Sequence, residues 1–310
     1  MRAVAFGDFG QSPLLTELPV PEPGPGEVLV RIGHSSINGF DLGVLGGYLK
    51  GVYEYEFPVV PGKDFAGTVA AVGAEVSTAV VGDAVFGVIM RSALGQGGWA
   101  EYVAVPAEYG IAAIPAGLDP AAAGALGLAG TAALNSIDAV ELDAGATVLI
   151  SGATGGVGAY AIQLAVARGA IVIATARPGA EADFVTGLGA ALVVDHSGDL
   201  TEQVMALRPD GVDAVVHLAG EGRVLAELIR AGGRFASTVH FTPEHAAARD
   251  IKAVTIMSDP NRATLDRLAA DAASGALRVP IAGRYPLAEA PQAIAAFTGG
   301  TLGKLAITIE

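Results

Sequence analysis

A glycine-rich loop between an apolar strand and a helix is the feature that most constrains the fold. Residues 147–150 read Thr-Val-Leu-Ile, residues 151–158 read Ser-Gly-Ala-Thr-Gly-Gly-Val-Gly, and an alanine-rich helical stretch follows. Glycines at such a junction let the backbone approach a pyrophosphate, and the helix N-terminus supplies N–H groups and a positive dipole. A turn without ligand is the weaker interpretation, because strand, loop, helix and second strand occur in order. The pattern predicts a dinucleotide site that includes Gly155, Gly156 and Val157.

Apolar segments alternate with alanine-rich helical stretches from this loop onward. The segments are residues 147–150, 171–175, 192–195, 212–216, 234–238 and 253–257. Strands separated in this way by helices are typical of a parallel, doubly wound sheet. The expected fold class is α/β, with a Rossmann dinucleotide-binding domain over residues 122–278.

Short apolar runs broken by Gly and Pro fill the chain before residue 115 and return after Val279. This texture predicts a β-rich domain with many tight turns. A chain of 310 residues also exceeds what one hydrophobic core usually holds, so two domains are expected. The simplest arrangement is a β-rich domain of residues 1–121 and 279–310, into which the nucleotide domain is inserted.

Charge and composition exclude several classes of partner. The formal net charge is −14, and the Lys and Arg residues are dispersed, so no basic stripe can neutralise a nucleic-acid backbone or an anionic membrane. No apolar run reaches the length of about 18 residues that is expected of a membrane span, and the N-terminus lacks a secretion signal. We therefore expect a cytoplasmic protein that acts on a small-molecule substrate. The absence of cysteine removes thiolate chemistry and every thiolate-ligated metal site.

The end of the second strand of the nucleotide domain bears on cofactor choice. NAD-preferring sites usually place an Asp or Glu there to hold the ribose hydroxyls, whereas this strand ends in Thr175, Ala176 and Arg177. A guanidinium beside a small hydroxyl residue suits a 2′-phosphate, which favours NADPH. The alternative is that Arg177 is an ordinary solvated loop residue.

Several short motifs occur in a characteristic order along the whole chain. They are residues 38–41 (Asn-Gly-Phe-Asp) with Gly47 and Tyr48, 61–67 (Pro-Gly-Lys-Asp-Phe-Ala-Gly), 82–87, 97–103, 155–158, 232–235 and 303–304. Their order and spacing resemble the medium-chain dehydrogenase/reductase superfamily, and within it the zinc-free quinone oxidoreductase branch that includes the zeta-crystallins. The resemblance implies a GroES-like β-rich domain joined to a Rossmann domain, often as a homodimer.

The resemblance also implies that no catalytic zinc can be assembled. Zinc-dependent relatives place Cys and His at the metal, where this chain has Asn38 and Lys63, and they carry a structural cysteine lobe that is missing here. Asp64 remains, but one carboxylate without imidazole or thiolate partners is not a zinc site. No metal-binding residue is predicted.

By the same resemblance, Tyr48 and Asn38 face the nicotinamide end of the cleft, and Lys63 stands at the former metal-ligand position. Tyr48 is either a proton donor or an aromatic wall of the pocket, and Asn38 is a hydrogen-bonding group for the substrate carbonyl or the cofactor. Lys63 either stabilises a developing enolate or forms a partly solvated ion pair with Asp64.

Further cofactor contacts are implied within the predicted nucleotide domain. His196 either reaches the 2′-phosphate or is a solvent-facing loop residue. Leu218, which follows the fourth strand, is placed at the edge that faces the cofactor. Thr131 and the Val239 region are assigned to the cofactor by resemblance alone.

The combined prediction is a zinc-independent, NADPH-dependent oxidoreductase. Without a Lewis acid, hydride transfer to an already polarised quinone or α,β-unsaturated carbonyl is favoured over alcohol oxidation. Two alternatives are a 2-enoyl-thioester reductase, which requires a cationic groove that the chain lacks, and a non-catalytic NADPH-binding structural or regulatory protein. The loops at residues 43–58 and 240–262 are expected to shape the substrate pocket.

Overall fold

Short strands dominate the first third of the chain, and strands alternate with helices from residue 147 onward. The computed structural model describes residues 1–239, 241 and 250–310. Within that part, the strands are β1 (Arg2–Ala5), β2 (Leu14–Glu17), β3 (Glu27–Ser36), β4 (Glu54–Tyr55), β5 (Asp64–Val72), β6 (Ala84–Val88), β7 (Ala93–Leu94), β8 (Tyr102–Pro106), β9 (Ile111–Ala113), β10 (Thr147–Ile150), β11 (Ile171–Thr175), β12 (Leu192–Val194), β13 (Val212–His217), β14 (Ile229–Ser237), β15 (Lys252–Thr255), β16 (Ile281–Pro286) and β17 (Lys304–Thr308).

The helices of the same residues are mostly short. They are α1 (Gly39–Leu45), α2 (Pro120–Ala139), α3 (Gly156–Ala167), α4 (Ala180–Gly187), α5 (Leu200–Leu207), α6 (Gly222–Glu227), α7 (Arg262–Ala273) and α8 (Ala290–Thr298), with a 3-10 turn at Leu287–Glu289. In the described part of the chain, no helix combines the length and apolarity needed to cross a bilayer.

Two units make up the chain, and each has its own sheet and core. Unit 1 comprises Met1–Thr131 and Pro260–Glu310, and unit 2 comprises Ala132–Asp259, so the first division falls within α2. The domain limits expected from the sequence, residues 1–121 with 279–310 and residues 122–278, remain a prediction.

Unit 2 contains a six-stranded parallel sheet in the order β12-β11-β10-β13-β14-β15. All four residues of β10 are buried, as expected for a strand covered by helices on both faces. When these six strands are numbered 1 to 6 from β10 to β15, their order in the sheet is 3-2-1-4-5-6. The strand order reverses between β10 and β13, which is the topological switch point. The predicted doubly wound fold is confirmed, and its carboxyl edge carries the glycine loop.

The main sheet of unit 1 is largely antiparallel. Strand β3 pairs with β5, β8 and β17. The last strand of the chain, β17, therefore belongs to the same sheet as β3 from its N-terminal part. Gly67 permits the close approach of β5 to β3, because a Cβ there would lie 2.0 Å from the carbonyl oxygen of Arg31. The core beneath this sheet includes the fully buried Phe65 and Trp99.

Candidate functional site

The glycine loop of unit 2 lies at the edge of a pocket of about 380 Å³. From the candidate residues the pocket gathers Thr175 and His196, and it adds Ser151, Gly152 and Thr154 from the loop. Helix α3 begins directly after the loop with Gly155 as its N-cap. Because the first N–H groups of a helix have no intrahelical acceptor, this end can bind an anion.

Two glycines of the loop are required by its geometry. Gly152 has φ +64°, and a Cβ on Gly158 would lie 2.4 Å from the Gly152 carbonyl oxygen. The Oγ1 atom of Thr175 accepts a hydrogen bond of 3.1 Å from the Gly152 N–H. The Oγ atom of Ser151 accepts a hydrogen bond of 3.1 Å from the N–H of Leu218. Thr175 and Leu218, predicted from the sequence as cofactor contacts, therefore hold the loop in shape.

Arg177 and His196 are brought together by a residue that the sequence analysis missed. Glu181, in the first turn of α4, accepts hydrogen bonds of 2.8 Å from both the backbone N–H and the Nε of Arg177, and a further bond from Nη2. His196 contacts the same carboxylate, with its Nε2 3.4 Å from Glu181 Oε2. An acid is thus present near the end of β11, although the strand itself ends without one. The spacing of four residues between Arg177 and Glu181 was the available signal.

The remaining predicted cofactor residues lie at different places. Val239 is 38% exposed, and its carbonyl accepts a hydrogen bond of 2.7 Å from Ser237 Oγ. Thr131, the last residue of the first segment of unit 1, is buried, and among the described residues its Oγ1 has no hydrogen-bond partner. Residues 240 and 242–249 of the predicted pocket loop lie outside the described part of the chain.

Unit 1 contains a buried network centred on Asp64. Its Oδ2 accepts hydrogen bonds from Ser36 Oγ at 2.5 Å and Asn38 Nδ2 at 2.8 Å, and lies 3.5 Å from Lys304 Nζ. Its Oδ1 accepts a bond of 2.7 Å from the N–H of Leu128. Four donors around one fully buried carboxylate are what a buried charge requires.

Helix α2 reaches this network because it carries a glycine where it crosses the sheet. A Cβ on Gly127 would lie 2.8 Å from Asp64 Oδ1 and 2.7 Å from the Gly87 carbonyl oxygen. Any side chain there would push away the helix turn that presents the Leu128 N–H to Asp64. The hydrogen bond from Leu128 to Asp64 therefore requires glycine at position 127.

Asn38 links the two charges of the network. It donates to Asp64, and its Oδ1 accepts a hydrogen bond of 2.6 Å from Lys304 Nζ. Lys304 also donates to the Ile37 carbonyl at 3.0 Å and is almost fully buried. Burial lowers the pKa of Lys304, and the neighbouring Asp64 opposes that effect. The Asn38 side chain is thus engaged inside unit 1.

Asp41 is a second buried carboxyl, and it is less well satisfied. Its Oδ2 accepts a bond of 2.8 Å from the N–H of Asn38 at the start of α1, while its Oδ1 has no partner among the described residues. Burial raises the pKa of Asp41 from 3.8 to about 7, and the Asp64 charge adds to the effect. The carboxyl therefore changes protonation state near neutral pH.

Lys63 lines a small cavity together with Asp41, Phe40 and Ile89. Its Nζ donates to the Ile89 carbonyl at 2.6 Å and lies 4.8 Å from the centre of the Phe40 ring. Burial lowers the pKa of Lys63, and the carboxylates of Asp41 and Asp64 oppose the shift. The expected solvated ion pair between Lys63 and Asp64 is wrong, because Lys63 is buried and Asp64 pairs with Lys304.

Tyr48 follows α1 and is 83% exposed within the described residues. Its ring lies over Gly46, where a Cβ would come within 2.6 Å of the Tyr48 Cε2. The hydroxyl role and the wall role predicted from the sequence both stay open for this side chain.

Asn38 and Lys63, which the resemblance aligns with metal ligands of zinc-dependent relatives, are poorly suited to bind zinc. Asn38 is committed to Asp64 and Lys304, and Lys63 places an ammonium nitrogen where a ligand lone pair would be needed. Within the described ranges, no three His, Asp or Glu side chains form a group that could hold a metal ion.

Comparisons with known proteins agree with this organisation. Residues 24–116 match the alcohol dehydrogenase GroES-like domain, and residues 188–307 match the zinc-binding dehydrogenase family. The chloroplast envelope quinone oxidoreductase homolog of Arabidopsis thaliana is 37% identical over 232 residues, covering 71% of this chain and 68% of the relative. The NADPH-dependent alkenal/one oxidoreductase of Arabidopsis thaliana is 31% identical over 242 residues, covering 76% of this chain and 61% of the relative.

A solved structure resembles the chain over its whole length. The quinone oxidoreductase from Coxiella burnetii has a TM-score of 0.91 and 28% identity, covering 100% of this chain and 99% of that protein. By contrast, the chain spans 61% of the length of the 2-methylene-furan-3-one reductase of Solanum lycopersicum, to which it is 32% identical.

Proposed function

The chain belongs to the medium-chain dehydrogenase/reductase superfamily, in its quinone oxidoreductase branch, and we propose that it is an NADPH-dependent reductase of quinones or α,β-unsaturated carbonyl compounds. The observation that carries the proposal is the glycine loop at the carboxyl edge of β10, with a pocket beside it. Relatives named for quinone and alkenal/one reduction support the same class of acceptor.

Unit 2 supplies the residues that would hold the dinucleotide. The α3 N-terminus with Gly155, Gly156 and Val157 would bind the pyrophosphate through backbone N–H groups. Thr175 and Ser151 fix the loop in the required shape. Bound NADPH would supply the hydride.

Arg177 is the residue that supports NADPH over NADH. Its side chain is 63% exposed, so the outer face of the guanidinium is accessible to a 2′-phosphate, and His196 lies in the same cluster. A charge-assisted contact of this kind is stronger than a hydrogen bond between neutral groups, and a free 2′-hydroxyl cannot make it.

Titration of the protein with NADPH and with NADH tests this assignment. Wild-type protein should bind NADPH more tightly, and Arg177→Ala should reduce the ratio of the two affinities by about tenfold or more. Equal binding of the two nucleotides by wild-type protein would return Arg177 to the role of a surface residue.

Unit 1 supplies the groups that would act on the substrate. Reduction of an enone or quinone places negative charge on the substrate oxygen, and a buried ammonium such as Lys63 would stabilise that charge strongly in a low-dielectric cavity. Asn38 would orient a carbonyl through the amide hydrogen that Asp64 does not use, and Tyr48 would donate the proton that an enone requires.

A panel of acceptors distinguishes this function from the others. With NADPH present, quinones and enones should cause cofactor oxidation, followed at about 340 nm. Turnover confined to acyl thioesters would indicate a 2-enoyl-thioester reductase instead. Tight NADPH binding without turnover of any acceptor would indicate a non-catalytic role. The homodimer implied by family membership is tested separately by light scattering of the purified protein.

A further inference from the structure

The cluster around Arg177 contains more negative than positive charge. Glu181 occupies the Nε and Nη2 side of the guanidinium, and the Asp195 carboxylate also interacts with Arg177 through space. Asp195 is held in place by the N–H and Oγ of Ser197, at 2.9 and 2.7 Å. The guanidinium is thus already bound by one carboxylate and lies within electrostatic range of a second, which is a poor environment for a dianionic phosphate.

Glu181 is the fixed member of this cluster. Its side chain is 16% exposed, against 63% for Arg177, and it also accepts the backbone N–H of Arg177. Its position in the first turn of α4 places the carboxylate at the favourable end of the helix dipole. The hydrogen bonds from Arg177 hold the pKa of Glu181 at about 2, so the carboxylate is ionised at neutral pH.

We propose that Glu181 is a specificity-determining residue that competes with the 2′-phosphate for Arg177 and so limits the preference of this chain for NADPH over NADH. The proposal rests on the proposed dinucleotide site of unit 2. A phosphate that reaches Arg177 must share the guanidinium with Glu181 or displace it, and it is repelled by the carboxylate in either case. A nucleotide with a free 2′-hydroxyl carries no such charge and is not repelled.

Glu181→Gln tests the proposal by equilibrium binding, without reference to turnover. The amide keeps the size of the side chain and removes its charge. Calorimetric titration with NADPH should show binding about five- to tenfold tighter than in wild-type protein. The gain arises because the Glu181 carboxylate and the 2′-phosphate are like charges at close range, and the site is only partly exposed to screening solvent. NADH affinity should change less than twofold, and the gain for NADPH should shrink as salt is raised.

Asp183→Asn is the matched control. It lies in the same first turn of α4, is exposed, and changes the net charge by the same amount. It should change neither affinity by more than about twofold, since an exposed charge outside the cluster is screened. An equal gain from Asp183→Asn would reduce the effect to net charge and overturn the proposal.

Arg177 provides the second arm. In an Arg177→Ala background, Glu181→Gln should tighten NADPH binding by a clearly smaller factor, because no guanidinium is left to release and only the repulsion between Glu181 and the phosphate is removed. A gain as large without Arg177 as with it, or an unchanged NADPH/NADH ratio in Glu181→Gln alone, overturns the competition. Failure of wild-type protein to bind either nucleotide would instead refute the proposed function, so the two failures are distinguishable.

Discussion

Replacing Asp41 by asparagine should remove a pH dependence of stability that this buried carboxyl gives to the chain. The pKa of Asp41 is raised from 3.8 to about 7 in the folded state, chiefly by burial. Between these two values the folded chain holds a proton that the unfolded chain has lost. The contribution of Asp41 to stability is therefore fully present below the unfolded pKa and is lost as pH rises through the folded pKa.

The size of the effect follows from the proton count. Each pH unit over which one proton is released on unfolding changes the free energy of unfolding by about 1.4 kcal/mol. From about pH 5.5 to the folded pKa is about 1.5 units, so wild-type protein should lose about 2 kcal/mol from Asp41 alone between about pH 5.5 and 8.5. This window avoids the region near the pI of 4.7, where the net charge vanishes.

Urea unfolding of wild-type protein and Asp41→Asn at both pH values, at one protein concentration, measures this contribution. Asparagine keeps an acceptor for the Asn38 N–H, and any fixed cost of the amide cancels when the two pH values are compared. The variant should therefore gain about 2 kcal/mol relative to wild type between about pH 5.5 and 8.5. A difference between the two proteins that does not vary with pH would refute the raised pKa and with it the assignment of Asp41 as a neutral buried acid.

Three further predictions concern the same unit. Lys304→Met should lower the free energy of unfolding by about 3–5 kcal/mol, because it leaves the buried Asp64 carboxylate without its cation; Lys252→Met, at an exposed position, is the control for urea unfolding. Tyr48→Phe should lower kcat for enones by about 100-fold in steady-state assays while quinones are little affected, since quinone oxygens can be protonated by solvent. Extended dialysis against a chelator should leave turnover unchanged, with metal analysis of the dialysed protein as the check.

Each of these has a clear contrary result. A Lys304→Met protein as stable as its control would show that Asn38, Ser36 and Leu128 satisfy Asp64 without the ammonium. Small and equal effects of Tyr48→Phe on both substrate classes would make Tyr48 a pocket wall. Stoichiometric zinc whose removal abolishes turnover would contradict the zinc-independent reaction.

The nucleotide-binding half of the fold was predictable because its signals are local. Strand β10, the glycine loop and the start of α3 are consecutive in sequence, and the positions that need glycine, such as Gly152 and Gly158, lie inside that segment. Alternating apolar strands and helices then specify a parallel sheet with few topologies. Here the sequence pattern and the structure agree.

The polar groups of unit 1 were not predictable in the same way. Lys304 and Asp64 are separated by 240 positions, and no periodicity of the sequence connects them. From the sequence, Asp41 resembles an ordinary acidic residue in the first turn of a helix. Its pKa is shifted by burial, which only the structure reveals. Lys63 and Asp64 are adjacent in sequence, which suggested an ion pair, yet they lie in different surroundings. Partners of buried charges are fixed by tertiary packing, and one chain's sequence does not encode them locally.

The charge balance of unit 1 bears on how the chain keeps two carboxyls buried near Asn38 and Lys63. Asp41 and Asp64 are matched by two buried ammonium groups, Lys63 and Lys304, so the set is neutral when all four are ionised. The match is uneven, since Asp64 has Lys304 and three neutral donors, whereas Asp41 has one backbone N–H and an oxygen that finds no partner in the described part of the chain. Asp41 is therefore the carboxyl whose pKa is raised to about 7, so that it carries a proton in part of the neutral range. Because Lys63 lines the same cavity as Asp41, protonation of Asp41 removes a negative charge that otherwise raises the pKa of Lys63.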